Sequence, residues 1–259
     1  GAGRYGAGGG IVWDSDAQEE HAELVSKTQI LNGVTANEEF ELFETMAWTA
    51  SDGPSNLAAH LRRMSSSAEC FGITFNAVDA RQAIEAATAA CVQPPARTSA
   101  VTMYRLRLSL SGGGMFAATL QPGPPAIRGV QKVAVAPSPV SSKDPALGHK
   151  TNQRLVYVQA KDAVTKVYGE DIEPLLVNER GEVTETDIAN VVYVLDGQNY
   201  TPPAGCGLLP GVLRERLLGG GELQERVLLA KDLASVDKLY LINDLRGWRE
   251  AKLLGVKTA

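Results

Sequence analysis

Cysteine is scarce in this chain of 259 residues. The three present, Cys70, Cys91 and Cys206, are scattered and odd in number, with no Cys-x-x-Cys pair. That excludes a disulfide framework and a cysteine-based zinc site. Histidine is equally sparse: His21, His60 and His149 lie far apart, without the spacing that gathers a metal ion. No apolar run approaches bilayer-spanning length, and no basic-then-apolar leader pattern is visible. An excess of basic residues is missing too. The formal net charge is -5, which argues against nucleic acid or an anionic membrane as the main partner. A local group of Arg and Lys could still take an anionic small molecule. With 44% hydrophobic and 21% charged residues, the composition is that of an ordinary soluble globular protein, expected in a reducing, cytoplasmic setting. The length suits one large or two medium domains.

The first ten residues, GAGRYGAGGG, are too glycine-rich for a helix. Their amides could meet a ligand, or the stretch could be a plain linker. Asp14-Ser15-Asp16 can cap a helix that aligns Glu20, Glu23 and Lys27 on one face. Alternation across Phe40 to Trp48 indicates a strand. Leu57, Leu61, Met64, Ala68 and Phe71 recur at helical spacing, with Arg63 near the first turns. A second helix is expected from Val78 to Cys91, ended by Pro94-Pro95. Two strands flank Gly112-Gly113-Gly114, with Arg105 and Arg107 on one face of the first. VQKVAVAP is a further strand, and Pro137 to Ser142 an interdomain connection.

Downstream, Val156, Ala160, Ala163 and Val167 give a helix an apolar face. Hairpins turn at Asn178–Gly181 and at Asp196-Gly197. Gly207 to Arg214 opens another helix. ELQERVLL and DKLYLIND read as strands, with the short helix AKDLASV between them. The expected organisation is α/β (α+β). A leading segment covers 1–31 and an N-terminal α/β domain 32–140. A connection covers 141–149 and a C-terminal α/β domain 150–259.

The stretch Leu147-Gly148-His149-Lys150-Thr151 lies between the Pro/Ser-rich connection and an amphipathic helix. A lysine there can face an open cleft from a firm element, which it must do to hold an aldehyde cofactor as an imine. Taken singly, Lys150 reads as a solvated lysine, Arg63 as a surface arginine, Glu185 as a turn cap and Gly211 as a helix-start glycine. The pieces gain meaning as an ordered set: Phe-Glu-Leu-Phe-Glu-Thr-Met, His60-x-x-Arg63, His149-Lys150-Thr151, Gly-Glu-Val-Thr-Glu ending in Asn190, and Gly-Leu-Leu-Pro-Gly-Val-x-Arg.

In order and spacing, this set resembles the class IV, or fold-type IV, pyridoxal-phosphate enzymes over about residues 35 to 259. That group includes branched-chain and D-amino-acid aminotransferases and 4-amino-4-deoxychorismate lyases. The resemblance implies a two-domain fold of that type, pyridoxal 5'-phosphate as cofactor and a homodimer. By the same resemblance, Lys150 holds the cofactor aldehyde and Glu185 pairs with the pyridine nitrogen. Arg63 and the amides of Leu209, Gly211 and Val212 bind the phosphate. Asn190, Asn243 and Asp244 are counted among the cofactor-binding residues, and no metal is implied. A carboxylate facing a phosphate is unfavourable, and the family commonly has a hydroxyl residue where Asp244 stands. Either Asp244 turns away, or cofactor affinity is reduced. Arg105 and Arg107 are candidates for a substrate carboxylate, and Thr45 for a proton donor, although either Glu44 or Thr45 could face the cleft.

A second resemblance concerns residues 1 to 30. Gly-Gly-Gly-Ile-Val-x-Asp-Ser-Asp followed by Glu-x-x-Glu-x-x-x-Lys is similar to the end of chorismate-binding enzymes, in which Glu23 would ligate Mg²⁺. The segment reads as the stub of such a domain, joined upstream in a larger fusion. A synthase of that kind makes the substrate of an aminodeoxychorismate lyase, and HKTNQR resembles the lyase half of such fusions. The expected reaction is therefore conversion of 4-amino-4-deoxychorismate to 4-aminobenzoate and pyruvate. The alternatives are a class IV aminotransferase and a binding module without cofactor.

Overall fold

The computed structural model describes residues 40–89, 103–125 and 129–255. The segment over 1–31, with Glu23 and the capped helix expected there, lies outside the described residues, as do Cys91 and Pro94-Pro95.

Four strands make the first sheet: β1 (Glu41–Thr49), β2 (Gly53–Pro54), β3 (Tyr104–Ser111) and β4 (Phe116–Pro122), in the order β2-β1-β3-β4. Strict alternation builds it. Leu106, Leu108 and Leu110 of β3 and Leu42, Met46 and Trp48 of β1 point into the core. Helix α1 (Leu57–Cys70) covers that face with Leu61, Met64 and Ala68, and α2 (Ala77–Thr88) adds Ala80 and Ile84. Each large side chain buried here contributes about 1.5–3 kcal/mol relative to exposure. The period of two then forces Phe43, Thr45, Arg105 and Arg107 onto the opposite face. There Thr45 lies opposite Arg107 in the β1–β3 register.

The second sheet uses β5 (Gln131–Val135), β6 (Ile172–Val177), β7 (Val183–Thr186), β8 (Asn190–Leu195) and β9 (Gln198–Thr201). It continues through β10 (Gln224–Glu225), β11 (Lys238–Asn243) and β12 (Gly247–Leu253). The order is β10-β9-β8-β11-β12-β5-β6-β7, and β7 also pairs with β8. That last pairing returns the end of the sheet to its middle, so six strands close on themselves. Its register sets Glu185 opposite Asn190. Sheet membership changes between Pro122 and Gln131, ahead of the expected division at 140. β5 runs parallel to β6 and β12 within the second sheet.

The Lys150 stretch lies ahead of a helix as expected: α3 begins at Leu155 and ends at Tyr168. The Lys150 segment itself is extended along β1, whose Phe43 amide donates to the Lys150 carbonyl at 2.9 Å, with a bridge between Leu42 and Thr151. Two readings change. The buried face of α3 is Tyr157, Ala160 and Val164, while Val167 is 52% exposed. The helix is turned so that the Tyr157 hydroxyl reaches Glu185. ELQERVLL supplies only the two-residue β10, because Gln224, Glu225, Arg226 and Val227 are exposed in succession and leave no buried alternation. Among the described residues, no helix is long and apolar enough to cross a membrane.

Candidate active site

Between the open face of the first sheet and the closed strands of the second lies a cavity of about 390 Å³. Its walls contain Thr45, Arg63, Arg105, Arg107, Lys150, Glu185, Asn190, Leu209, Gly211, Val212, Asn243 and Asp244. The candidates singled out along the sequence thus meet in one space. Thr45, not Glu44, faces it.

Lys150 and Glu185 come from opposite walls. The Lys150 amine sits 4.8 Å above the Phe43 ring. Burial, with Arg63 nearby, lowers its pKa to about 8. Burial raises the Glu185 carboxyl to about 7. Its two oxygens accept from the Tyr157 hydroxyl at 2.8 Å and from Asn190 Nδ2 at 3.2 Å. The same Asn190 amide group donates to the Leu209 carbonyl at 2.8 Å, tying the acid to the next loop. Burial and the adjacent Glu185 carboxylate hold the Tyr157 phenol protonated, its pKa raised.

That loop leads into α4 (Val212–Gly219), whose N-cap is Gly211. No side chain caps this helix start, so its first amides are open to an anion. A Cβ on residue 211 would overlap Asn190 Oδ1, so glycine is needed for the loop to lie this close. Arg63 crosses over from α1 and donates to the Pro210 carbonyl at 2.9 Å, just before the helix start. Arg214, the last residue of the Gly-Leu-Leu-Pro-Gly-Val-x-Arg piece, turns the other way and donates to the Pro202 carbonyl at 2.9 Å.

A chain of polar side chains stands behind Arg63. Its Nε and Nη2 donate to the two oxygens of Glu44 at 2.9 and 2.5 Å. Glu44 lies 2.7 Å from His60 Nδ1, and His60 Nε2 lies 3.0 Å from Asp244. Burial opposes charge on Glu44, but Arg63 and His60 outweigh it and bring the carboxyl down to about 2. Burial likewise opposes charge on His60, yet Asp244 and Glu44 hold its pKa above the ordinary histidine value. Asp244 follows Asn243 in the turn between β11 and β12, and Asn243 Nδ2 donates to the Ile188 carbonyl at 3.1 Å. The Asp244 carboxylate, in the cavity wall, accepts from Ser55 and Asn56 at the start of α1.

Reasoning from sequence missed several residues of this wall. Tyr157 is absent from the apolar face read as Val156, Ala160, Ala163 and Val167, and only the position of Glu185 reveals its use. Arg154 stacks 4.5 Å over the Tyr157 ring and donates to the Asp187 carbonyl. Arg246 also lines the cavity. Neither arginine sits in a pattern that separates it from surface arginines.

The family described as amino-transferase class IV matches residues 41–254. A protein of Schizosaccharomyces pombe named "Putative aminodeoxychorismate lyase" is 32% identical over 214 residues, 81% of this chain and 87% of that protein. A crystal structure from Mesorhizobium loti, described as a "Putative amino-acid aminotransferase", is 35% identical, with a TM-score of 0.74 over 83% of this chain and all of that one. A 4-amino-4-deoxychorismate lyase from Pseudomonas aeruginosa, 24% identical, shares the fold at a TM-score of 0.64, covering 83% of each chain. The family match spans the cavity walls from β1 to β12, and on that ground the chain belongs to the class IV aminotransferases.

Proposed function

We propose that this protein is a pyridoxal-phosphate-dependent lyase that converts 4-amino-4-deoxychorismate to 4-aminobenzoate and pyruvate. The observation that carries the reading is the buried Lys150 amine, its pKa lowered, in one cavity with the buried acid Glu185 and with Arg63 beside the α4 start. The residues fit the cofactor. The uncapped start of α4 beside Arg63 suits a phosphate, and Gly211 is demanded by close approach. Glu185 suits a pyridine nitrogen at the far end, and Lys150 stands in the same cavity with an amine able to lose its proton. When bound, pyridoxal phosphate supplies an electron sink next to the substrate amine.

The chain's own residues would then divide the work. Arg63 and the α4 amides hold the phosphate. Glu185, oriented by Tyr157 and Asn190, keeps a proton on the pyridine nitrogen. Arg105 and Arg107, projecting from β3 beside Thr45, hold the substrate's carboxylates. Lys150 removes the proton from the amine-bearing ring carbon. The bond from the ring to the enolpyruvyl oxygen breaks, and Thr45 or Lys150 returns a proton to the departing group. The ring becomes aromatic and pyruvate leaves, so atoms balance without water. The S. pombe relative's name supports this substrate.

The M. loti likeness favours a second reading, amino-group transfer to a keto acid. One experiment separates the two. Purified protein is mixed with pyridoxal phosphate and its spectrum recorded, then given aminodeoxychorismate, or an amino acid with 2-oxoglutarate. The lyase releases 4-aminobenzoate and pyruvate. Keto-acid-dependent exchange without 4-aminobenzoate would replace it with the transferase. A near-visible band that is absent in the wild type, or unchanged in Lys150→Ala, would reject both.

A further inference from the structure

Asp244 presents a difficulty to any anion in this cavity. It stands in the same wall as Arg63 and Gly211, where a free carboxylate would repel a phosphate. The geometry around it removes that difficulty. Asp244 Oδ2 accepts from Ser55 at 3.0 Å and lies 3.0 Å from His60 Nε2; Oδ1 accepts from Asn56 at 2.6 Å. Asn56 is the N-cap of α1, yet its side chain caps nothing there, and its backbone holds a positive φ of 47°. An asparagine tolerates that conformation at a modest cost, and here its amide is directed to Asp244 instead of its own helix.

His60 is the centre of the arrangement. Both ring nitrogens face carboxylate oxygens, Nδ1 toward Glu44 at 2.7 Å and Nε2 toward Asp244 at 3.0 Å. A carboxylate only accepts, so both contacts are satisfied only when both nitrogens carry protons. The charged groups along this line then alternate: Arg63 on α1, Glu44 on β1, His60 on α1, Asp244 in the turn. A neutral ring would leave one carboxylate without its donor in a buried site.

We propose that His60 is a positioning residue: as an imidazolium clamped between Glu44 and Asp244, it neutralises the Asp244 carboxylate and turns it from the helix-start end of the cavity, so that an acid can stand in that wall without repelling a bound phosphate. Through Glu44 the same ring is linked to Arg63, so both walls of the anion end depend on it. This rests on the reading of Arg63 and the α4 start as phosphate holders.

The test is a double-mutant cycle on the full chain, read by equilibrium dialysis with pyridoxal phosphate and, separately, pyridoxal. His60→Asn keeps a donor toward Glu44 and exposes Asp244; it should weaken pyridoxal phosphate binding about tenfold without a matching loss for pyridoxal. On an Asp244→Asn background the same substitution should cost no more than about threefold. Equal losses for the two ligands, or an undiminished cost on that background, would overturn the proposal. Should His60→Asn not fold, His60→Gln repeats the measurement with a donor toward Asp244 but no charge. Asp244→Asn alone, which keeps His60 and the side-chain shape, gives the sign. Unchanged or weaker binding agrees with a carboxylate already compensated, and an increase of about tenfold contradicts it. A wild type that does not retain pyridoxal phosphate sinks the cofactor reading and this inference together. A wild type that binds, with His60 variants that bind equally well, sinks the inference alone.

Discussion

The two ends of the cavity treat buried charge in opposite ways. At the helix-start end, Arg63, Glu44, His60 and Asp244 are joined pair by pair, and the neighbours hold each titrating group in its charged form despite burial. Around the Glu185 carboxyl and the Lys150 amine, which also feels Arg63, burial dominates. Lys150 is brought down to about 8 and Glu185 up to about 7, each toward neutrality. Among the described residues, the Lys150 amine has no ion-pair partner within reach, and Glu185 is met only by uncharged donors. One end is electrostatically settled before any ligand arrives, and the other is left ready for a proton to move. A site that must grip an anion and also shift protons near neutral pH needs both conditions.

Removing the movable charge is expected to have the largest effect. Lys150→Ala should lower turnover roughly a thousandfold or more, measured as 4-aminobenzoate release. It should abolish borohydride-trapped labelling by pyridoxal phosphate while leaving the protein folded. Glu185→Gln comes next. In the role proposed for Glu185, losing its charge should cost roughly a hundredfold in turnover. Stability should move the other way. The Glu185 carboxyl titrates near 7 in the fold, against 4.5 ordinarily. Below 4.5 it is neutral in both states and contributes nothing. Between 4.5 and 7 the unfolded chain ionises first, so stability falls, and the loss is complete above 7. At most this costs about 3 kcal/mol. Thermal melts of the apoprotein should therefore show Glu185→Gln stabilised above pH 7 and unchanged below 4.5. A uniform destabilisation at every pH would mean the carboxylate is a structural anchor, and the contrast between the two ends would fail.

Gly211→Ala probes the settled end with a smaller effect. The added methyl would displace Asn190 and with it the link between Glu185 and the Leu209 carbonyl. Overpacking of this kind costs about 1–3 kcal/mol, and pyridoxal phosphate affinity should fall about tenfold or more. Gly211 alone read as a helix-start glycine, and it gained a role only within the ordered set of pieces. Lys150, Glu185 and Arg63 were legible only through their order along the chain. The alternation of β1 and β3 was readable directly, and it fixed which side of each strand could face a ligand. Composition could not reveal that the Lys150 segment lies along β1, because its hydrogen bonds go to residues more than a hundred positions away. The fate of Asp244 was hidden for the same reason: its partners Ser55, Asn56 and His60 lie some 180 to 190 residues upstream. A helical pattern also misread the buried face of α3, since one hydrogen bond to Glu185 turns Tyr157 inward ahead of Val167.

Tyr157→Phe is the mildest and most discriminating change. The phenol donates to Glu185 Oε1 and is among the influences that pull the carboxyl back down against burial. Removing it takes away one donor and adds none. The folded pKa of Glu185 should therefore rise above about 7, by about one unit for a hydrogen bond of ordinary net strength to a charged group. The acid limb of the kcat/KM profile should move upward with it, while the plateau falls only severalfold. The helix-start end should not respond at all: phosphate-dependent binding, read as the affinity ratio of pyridoxal phosphate to pyridoxal, should stay at the wild-type value. If that ratio changes together with the acid limb, the two ends share one network instead of two. The separation between a settled end and a mobile one would then have to be abandoned, even with every distance in the site unchanged.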